Sequence, residues 1–72
     1  MASSLKLLDV VALTQDLPDQ GLNRGQVGTI VEELDPGFYE VEFSDEQGVP
    51  YAILAIPAEQ LMGLHYHPLK VA

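Results

Sequence analysis

The sequence predicts a small all-β domain of five short strands curled around one core. Three observations predict it. Apolar residues recur mostly at every second position, and no stretch keeps them at helical spacing for three clean turns. Turn chemistry returns about every ten residues, the rhythm of strands joined by tight connections. The chain has 72 residues, room for one domain spanning 1–72, with its core over 6–64 and a tail over 65–72. A domain of this size buries only about 60% of the surface its unfolded chain exposes, so its stability is marginal.

The first strand is expected from Asp9 to Thr14, a run rich in β-branched residues. Gln15 to Gly25 follows as a long loop, in which Pro18, Gly21 and Gly25 break any regular element. Leu17 and Leu22 within it are expected to tuck under the loop and order it. The second strand spans Gln26 to Leu34. Val27, Thr29 and Val31 share one face, while Gly28, Ile30, Glu32 and Leu34 share the other, so both faces hold apolar residues. That pattern predicts a bent strand, with Gly28 as the place for the bend.

Asp35-Pro36-Gly37 is a turn, since proline presets its own φ and glycine accepts the positive φ that follows. The third strand, Phe38 to Ser44, alternates most cleanly. Tyr39, Val41 and Phe43 face the core; Glu40 and Glu42 face water. Asp45-Glu46-Gln47-Gly48 closes the second hairpin. The fourth strand, Val49 to Ile56, is apolar almost throughout, which predicts cover on both faces. Pro57 to Gln60 reads as one turn of 3₁₀ helix, and Leu61 to Leu64 as a short fifth strand. Five strands, a long first loop, two tight hairpins and a 3₁₀ turn before the last strand are the order of an SH3-like barrel. Curling the sheet also hides apolar edges that an open sheet exposes.

Two resemblances attach to these residues. Leu7 to Thr14, Asp16-Leu17-Pro18, Gly21-Leu22, Arg24-Gly25, Val27 to Glu32, Tyr39 to Phe43, and Tyr51-Ala52 through Leu61 resemble an uncharacterised family of short bacterial and cyanobacterial proteins, a domain of unknown function. Its members are often free-standing and sometimes lie beside candidate toxins, which implies an antitoxin-like or immunity-like role. The stretch from Arg24 to Glu32 is also similar to the glycine-containing strand of KOW-type modules, which bind RNA or protein. It is similar too to the barrel of the nitrile hydratase β subunit, which implies an accessory barrel packed on another chain and carries over no metal ligands.

Eleven acidic residues stand against three basic ones, for a net charge of −8. Nucleic-acid binding needs clustered Lys and Arg to neutralise phosphates, and Lys6, Arg24 and Lys70 are scattered. The acidic field would repel nucleic acids and anionic membranes alike. Its constructive uses are solubility and the steering of a basic protein partner. No cysteine is present, which suits a reducing cytoplasm. The first ten residues hold too brief an apolar stretch for a secretory signal core, and Tyr51 to Pro57 is far short of a membrane helix.

No catalytic constellation emerges, so the chain reads as a non-enzyme without a cofactor. No nucleophile-elbow context surrounds a serine or threonine, and Gly21, Gly25 and Gly28 are spaced for turns rather than for a phosphate loop. His65 and His67 could share one face of a strand as metal ligands, but the nearest acidic residue in sequence is Glu59; a solvated tail is the simpler reading. The acidic residues Glu32, Glu33, Asp35, Glu40, Glu42, Asp45 and Glu46 span one hairpin and are expected to converge on one side. Acid–base work by a carboxylate pair needs one of the two buried, and alternation places Glu40 and Glu42 outward, which argues against it. Phe38 and Tyr51 are thin material for a proline-peptide groove. The expectation is a non-catalytic interaction module that binds another protein, basic in character, or pairs with its own copy. Asp16, Asp19, Arg24, Glu40, Glu42, Asp45 and Glu46 are the candidate contact residues. The alternative is a KOW-like nucleic-acid-binding module.

Overall fold

A computed structural model describes residues 5–69. It contains strands β1 (Val10–Leu13), β2 (Val27–Glu33), β3 (Phe38–Ser44), β4 (Pro50–Pro57) and β5 (Leu61–Gly63), with 3₁₀ turns at Pro18–Gln20 and Ala58–Gln60. The strands form one antiparallel sheet in the order β4-β3-β2-β1-β5. The expected all-β class and strand sequence are both present. The sheet is not closed into a ring, however: β4 and β5 lie at its two edges, joined through the second 3₁₀ turn.

The register sorts side chains by face, because directly opposed residues in a ladder share one. Val11, Gly28, Phe43 and Ala52 form one inner row; Ile30, Val41 and Leu54 form the next; Glu33, Tyr39 and Ile56 form a third. Phe43, Val41, Ile30, Val11, Leu13 and Ile56 are essentially fully buried and make the core with Leu22 and Leu61. Phe43 and Val41 are buried as the alternation predicted, and Tyr39 packs against the same core.

The long loop is ordered as expected, but it holds an element the sequence reading excluded. Pro18 opens a 3₁₀ turn, where its missing N–H costs nothing, and Gly21 ends it at φ 71°. Leu17 and Leu22 bridge each other across this turn, and Leu22 is 2% exposed.

Two details of the sheet correct the expectation. The bend in β2 lies at Val31, not at Gly28: the register slips between Ile30 and Glu32, so Val31 is the extra residue of a bulge. Gly28 serves a different need. A Cβ there would stand 2.6 Å from Val41 Cγ1 and 2.9 Å from the Glu42 carbonyl oxygen, so only glycine lets β2 approach β3. The second correction concerns β4. Ala52, Leu54 and Ile56 face inward, but Ile53 is half exposed on the outer side of an edge strand, and Tyr51, the extra residue where the register slips opposite Phe43 and Ser44, is half exposed as well.

Candidate functional site

The outer face of β2, β3 and β4 carries the acidic residues. Across it run two rows, Glu32–Glu40–Ala55 and Thr29–Glu42–Ile53. Glu32 and Glu40 are directly opposed, and like charges so placed destabilise a sheet. Among the described residues the one ion pair is Lys6 Nζ to Asp9 Oδ1 at 3.4 Å, so no cation of the described chain neutralises this face. Glu40 and Glu42 are half-buried rather than fully in water, flanked by neighbouring strands.

The expected convergence of the hairpin carboxylates is only partial. The bulge at Val31 turns Glu33 to the inner side, opposite Tyr39, where its Oε2 accepts from Leu7 N at 3.1 Å. Asp45 Oδ1 accepts from Gln47 N at 2.9 Å and Val49 N at 3.0 Å, which folds its own turn. Glu32, Glu40 and Glu42 remain together on the outer face, and Glu46 is exposed at the hairpin tip.

The first-loop candidates sit apart. Asp16 Oδ1 accepts from Arg24 N at 2.8 Å, so this carboxylate closes the loop. Asp19 lies exposed in the first 3₁₀ turn, and Arg24 is exposed. Among the described residues no hydrogen bond or ion pair joins these three to Glu40 or Glu42. The loop's end does reach β4: Gln26 Nε2 donates to Tyr51 Oη at 2.8 Å, and the Tyr51 ring lies 6.4 Å from that of Phe43.

One concave feature was not read from the sequence. Glu32, Glu33, Leu34, Asp35, Phe38 and Ala55 line an open cleft of about 710 Å³ at the β2–β3 turn. Its signal was Phe38, placed outward by alternation and 45% exposed. The cleft thus combines an aromatic side chain with carboxylates.

A family model described as a domain of unknown function, DUF4926, matches residues 7–63. The chain belongs to this family. The DUF4926 match runs from Leu7 to Gly63 and so takes in all five strands and both 3₁₀ turns. No curated protein and no solved structure matches the chain. Beyond the matched span of this DUF4926 domain, His65 and His67 line a cavity of about 350 Å³ with Pro68 and Leu69, all exposed and without a carboxylate. Among the described residues no three His, Cys, Asp or Glu side chains gather closely enough to hold a metal ion. No helix among them is long and apolar enough to cross a membrane.

Proposed function

We propose that this domain is a non-catalytic protein-interaction module whose partner is a basic protein. The observation that carries the reading is the opposed pair Glu32–Glu40 with Glu42 beside it, left without a countercharge among the described residues. The pair costs the isolated sheet stability, and a partner's Lys or Arg would relieve that cost on binding. The partner is read as a protein that this module inhibits, in the manner of an antitoxin or immunity protein, or completes as an accessory subunit. A cysteine-free chain suits that work in the cytoplasm. The SH3-like order of elements adds an analogy of fold alone, since that order has many binding uses.

Purification of the untagged protein from its native host, at low and at high salt, tests the proposal. The expected result is a discrete complex with one basic protein that dissociates as salt rises. Recovery of the free monomer at every salt and concentration overturns it. The KOW-like alternative has one cation to offer in its matching stretch, Arg24, which lies in the loop before β2, and β2 itself ends in Glu32 and Glu33. A gel shift with mixed RNA at low salt separates the two, and a shift at micromolar protein would favour the alternative.

A further inference from the structure

Among the described residues β4 pairs only with β3, so its other edge is open. Hydrogen-bond alternation identifies the free groups. Ala58 N donates to Gly37 O at 2.8 Å, which makes these two a bonded pair. Bonded and non-bonded pairs alternate along an antiparallel ladder. Tyr39–Ile56 and Val41–Leu54 are therefore bonded, while Glu40–Ala55 and Glu42–Ile53 are not. The other side of β3 agrees, since Leu34 N donates to Phe38 O at 3.1 Å and so turns the Phe38 backbone toward β2. The N–H and C=O of Ile53 and Ala55 consequently point out of the sheet edge.

The guards of that edge stand at its ends, Pro50 and Pro57 with the register slip beside Pro50, and the stretch between them carries no charged side chain. The nearest charges lie one strand behind, at Glu42 beside Ile53 and at Glu40 beside Ala55, with Glu32 one strand further. Ala55 also forms part of the cleft that holds Glu32, Asp35 and Phe38.

We propose that the β4 edge accepts an extended segment of a partner protein bearing Lys or Arg at alternate positions. This deepens the interaction-module reading and rests on it. Such a segment adds a sixth strand, with its backbone bonded to Ile53 and Ala55. Its outward side chains stand beside Ile53 and Ala55, and strands lie about 4.8 Å apart. A Lys or Arg stem crosses the apolar Ile53 or Ala55, and its charged head meets Glu42 or Glu40. A cation next to Ala55 enters the cleft, which the Phe38 ring helps to line. A second copy of the chain is a poorer occupant, because it brings another net charge of −8 to an already acidic face.

The test titrates the full chain with a capped eight-residue peptide that alternates Lys and Thr, and with its counterpart carrying Glu for Lys. Amide exchange is followed by NMR at low and high salt. The Lys peptide is expected to slow exchange at Ile53 and Ala55 by about tenfold or more, with the effect lost at high salt. The Glu peptide is expected to leave both unchanged. Ala55→Pro removes one edge donor at a position where proline is tolerated, and is expected to weaken binding by about tenfold. Should that variant fail to fold, the double change Glu40→Gln with Glu42→Gln is expected to weaken it similarly. Three results overturn the proposal: peptide-induced changes confined to the first loop or the tail, equal binding of the Glu peptide, or protection of Ile53 and Ala55 that follows protein concentration alone. A native complex that survives Ala55→Pro at unchanged affinity removes the edge site and leaves the interaction-module reading standing.

Discussion

Glu33 and Tyr39 face each other across the β2–β3 ladder and both hold the segment that precedes β1. Glu33 Oε2 accepts from Leu7 N at 3.1 Å, and Tyr39 Oη donates to Leu5 O at 3.3 Å. Directly after these ties the segment turns through Leu8 at φ 73°, a conformation that L residues seldom adopt, and Leu8 N donates to Ile30 O at 2.8 Å. Two side chains delivered by one bulge and one hairpin thus tie the segment from Leu5 to Leu7 across the sheet.

Glu33→Ala removes the acceptor for Leu7 N. The bond is exposed, so the expected loss is at the low end of the usual range for one hydrogen bond, about 0.5 kcal/mol. Exchange at Leu7 and Leu8 should accelerate while that of Val41 and Phe43 keeps pace with global stability. Urea unfolding and amide exchange measure the two effects. A loss above about 2 kcal/mol would mean that the segment is part of the core rather than a tie across it.

Gly28→Ala places a methyl group against Val41 Cγ1 and the Glu42 carbonyl. Overpacking of this kind costs about 1–3 kcal/mol, a large share of the stability of so small a domain. Gly37→Ala provides the contrast. Its φ is 89° with nothing within 4 Å, so its cost is conformational, about 1–2 kcal/mol. The pair Gly28→Ala with Val41→Ala separates the causes: removing the Val41 side chain should recover part of the Gly28 penalty and none of the Gly37 penalty.

Strand existence was legible from the sequence because period-two alternation is local. β3 was read to its residue limits, and the others within a residue or two. What was not legible depends on register. A bulge changes which residues face inward without altering composition, so Glu33 could be placed only once Val31 was known to be the extra residue. The same holds for β4, whose apolar run is equally compatible with a buried strand and with an edge. Of the candidate contact residues, Glu40 and Glu42 were placed correctly by alternation on the outer face, and Glu46 lies exposed at the hairpin tip. Asp16 and Asp45 were read as candidate contact residues, and their hydrogen bonds to backbone N–H groups are visible only in the folded loops.

Leu22→Ala tests whether the first loop belongs to the core. Leu22 is buried against it although it lies outside every strand. Truncation of a buried leucine costs about 2–5 kcal/mol, enough to bring the domain close to unfolding. A change below about 1 kcal/mol in thermal or urea unfolding would show the loop to be detachable.

Glu32→Gln relieves the opposition to Glu40. The expected gain is about 0.2–1 kcal/mol at low salt and less as salt rises, because screening already weakens the repulsion. The same variant should bind a basic partner more weakly. Stability and binding moving in opposite directions is the signature of a charge kept for a partner; movement in the same direction would assign Glu32 a structural role instead.

Asp45 and Glu46 adjoin in the second hairpin and divide the two kinds of work. Asp45 accepts from two backbone N–H groups of its own turn, and Gly48 follows at φ 81°. Asp45→Ala should therefore cost about 1 kcal/mol in unfolding free energy, as loss of a local side-chain cap does elsewhere. Glu46 makes no hydrogen bond or ion pair among the described residues, so Glu46→Gln should change stability by less than about 0.5 kcal/mol. If both substitutions weaken binding of a basic partner, Asp45 contributes by shaping the hairpin and Glu46 by its charge. Raising the salt then tells them apart, since the Glu46 effect fades with screening and the Asp45 effect persists.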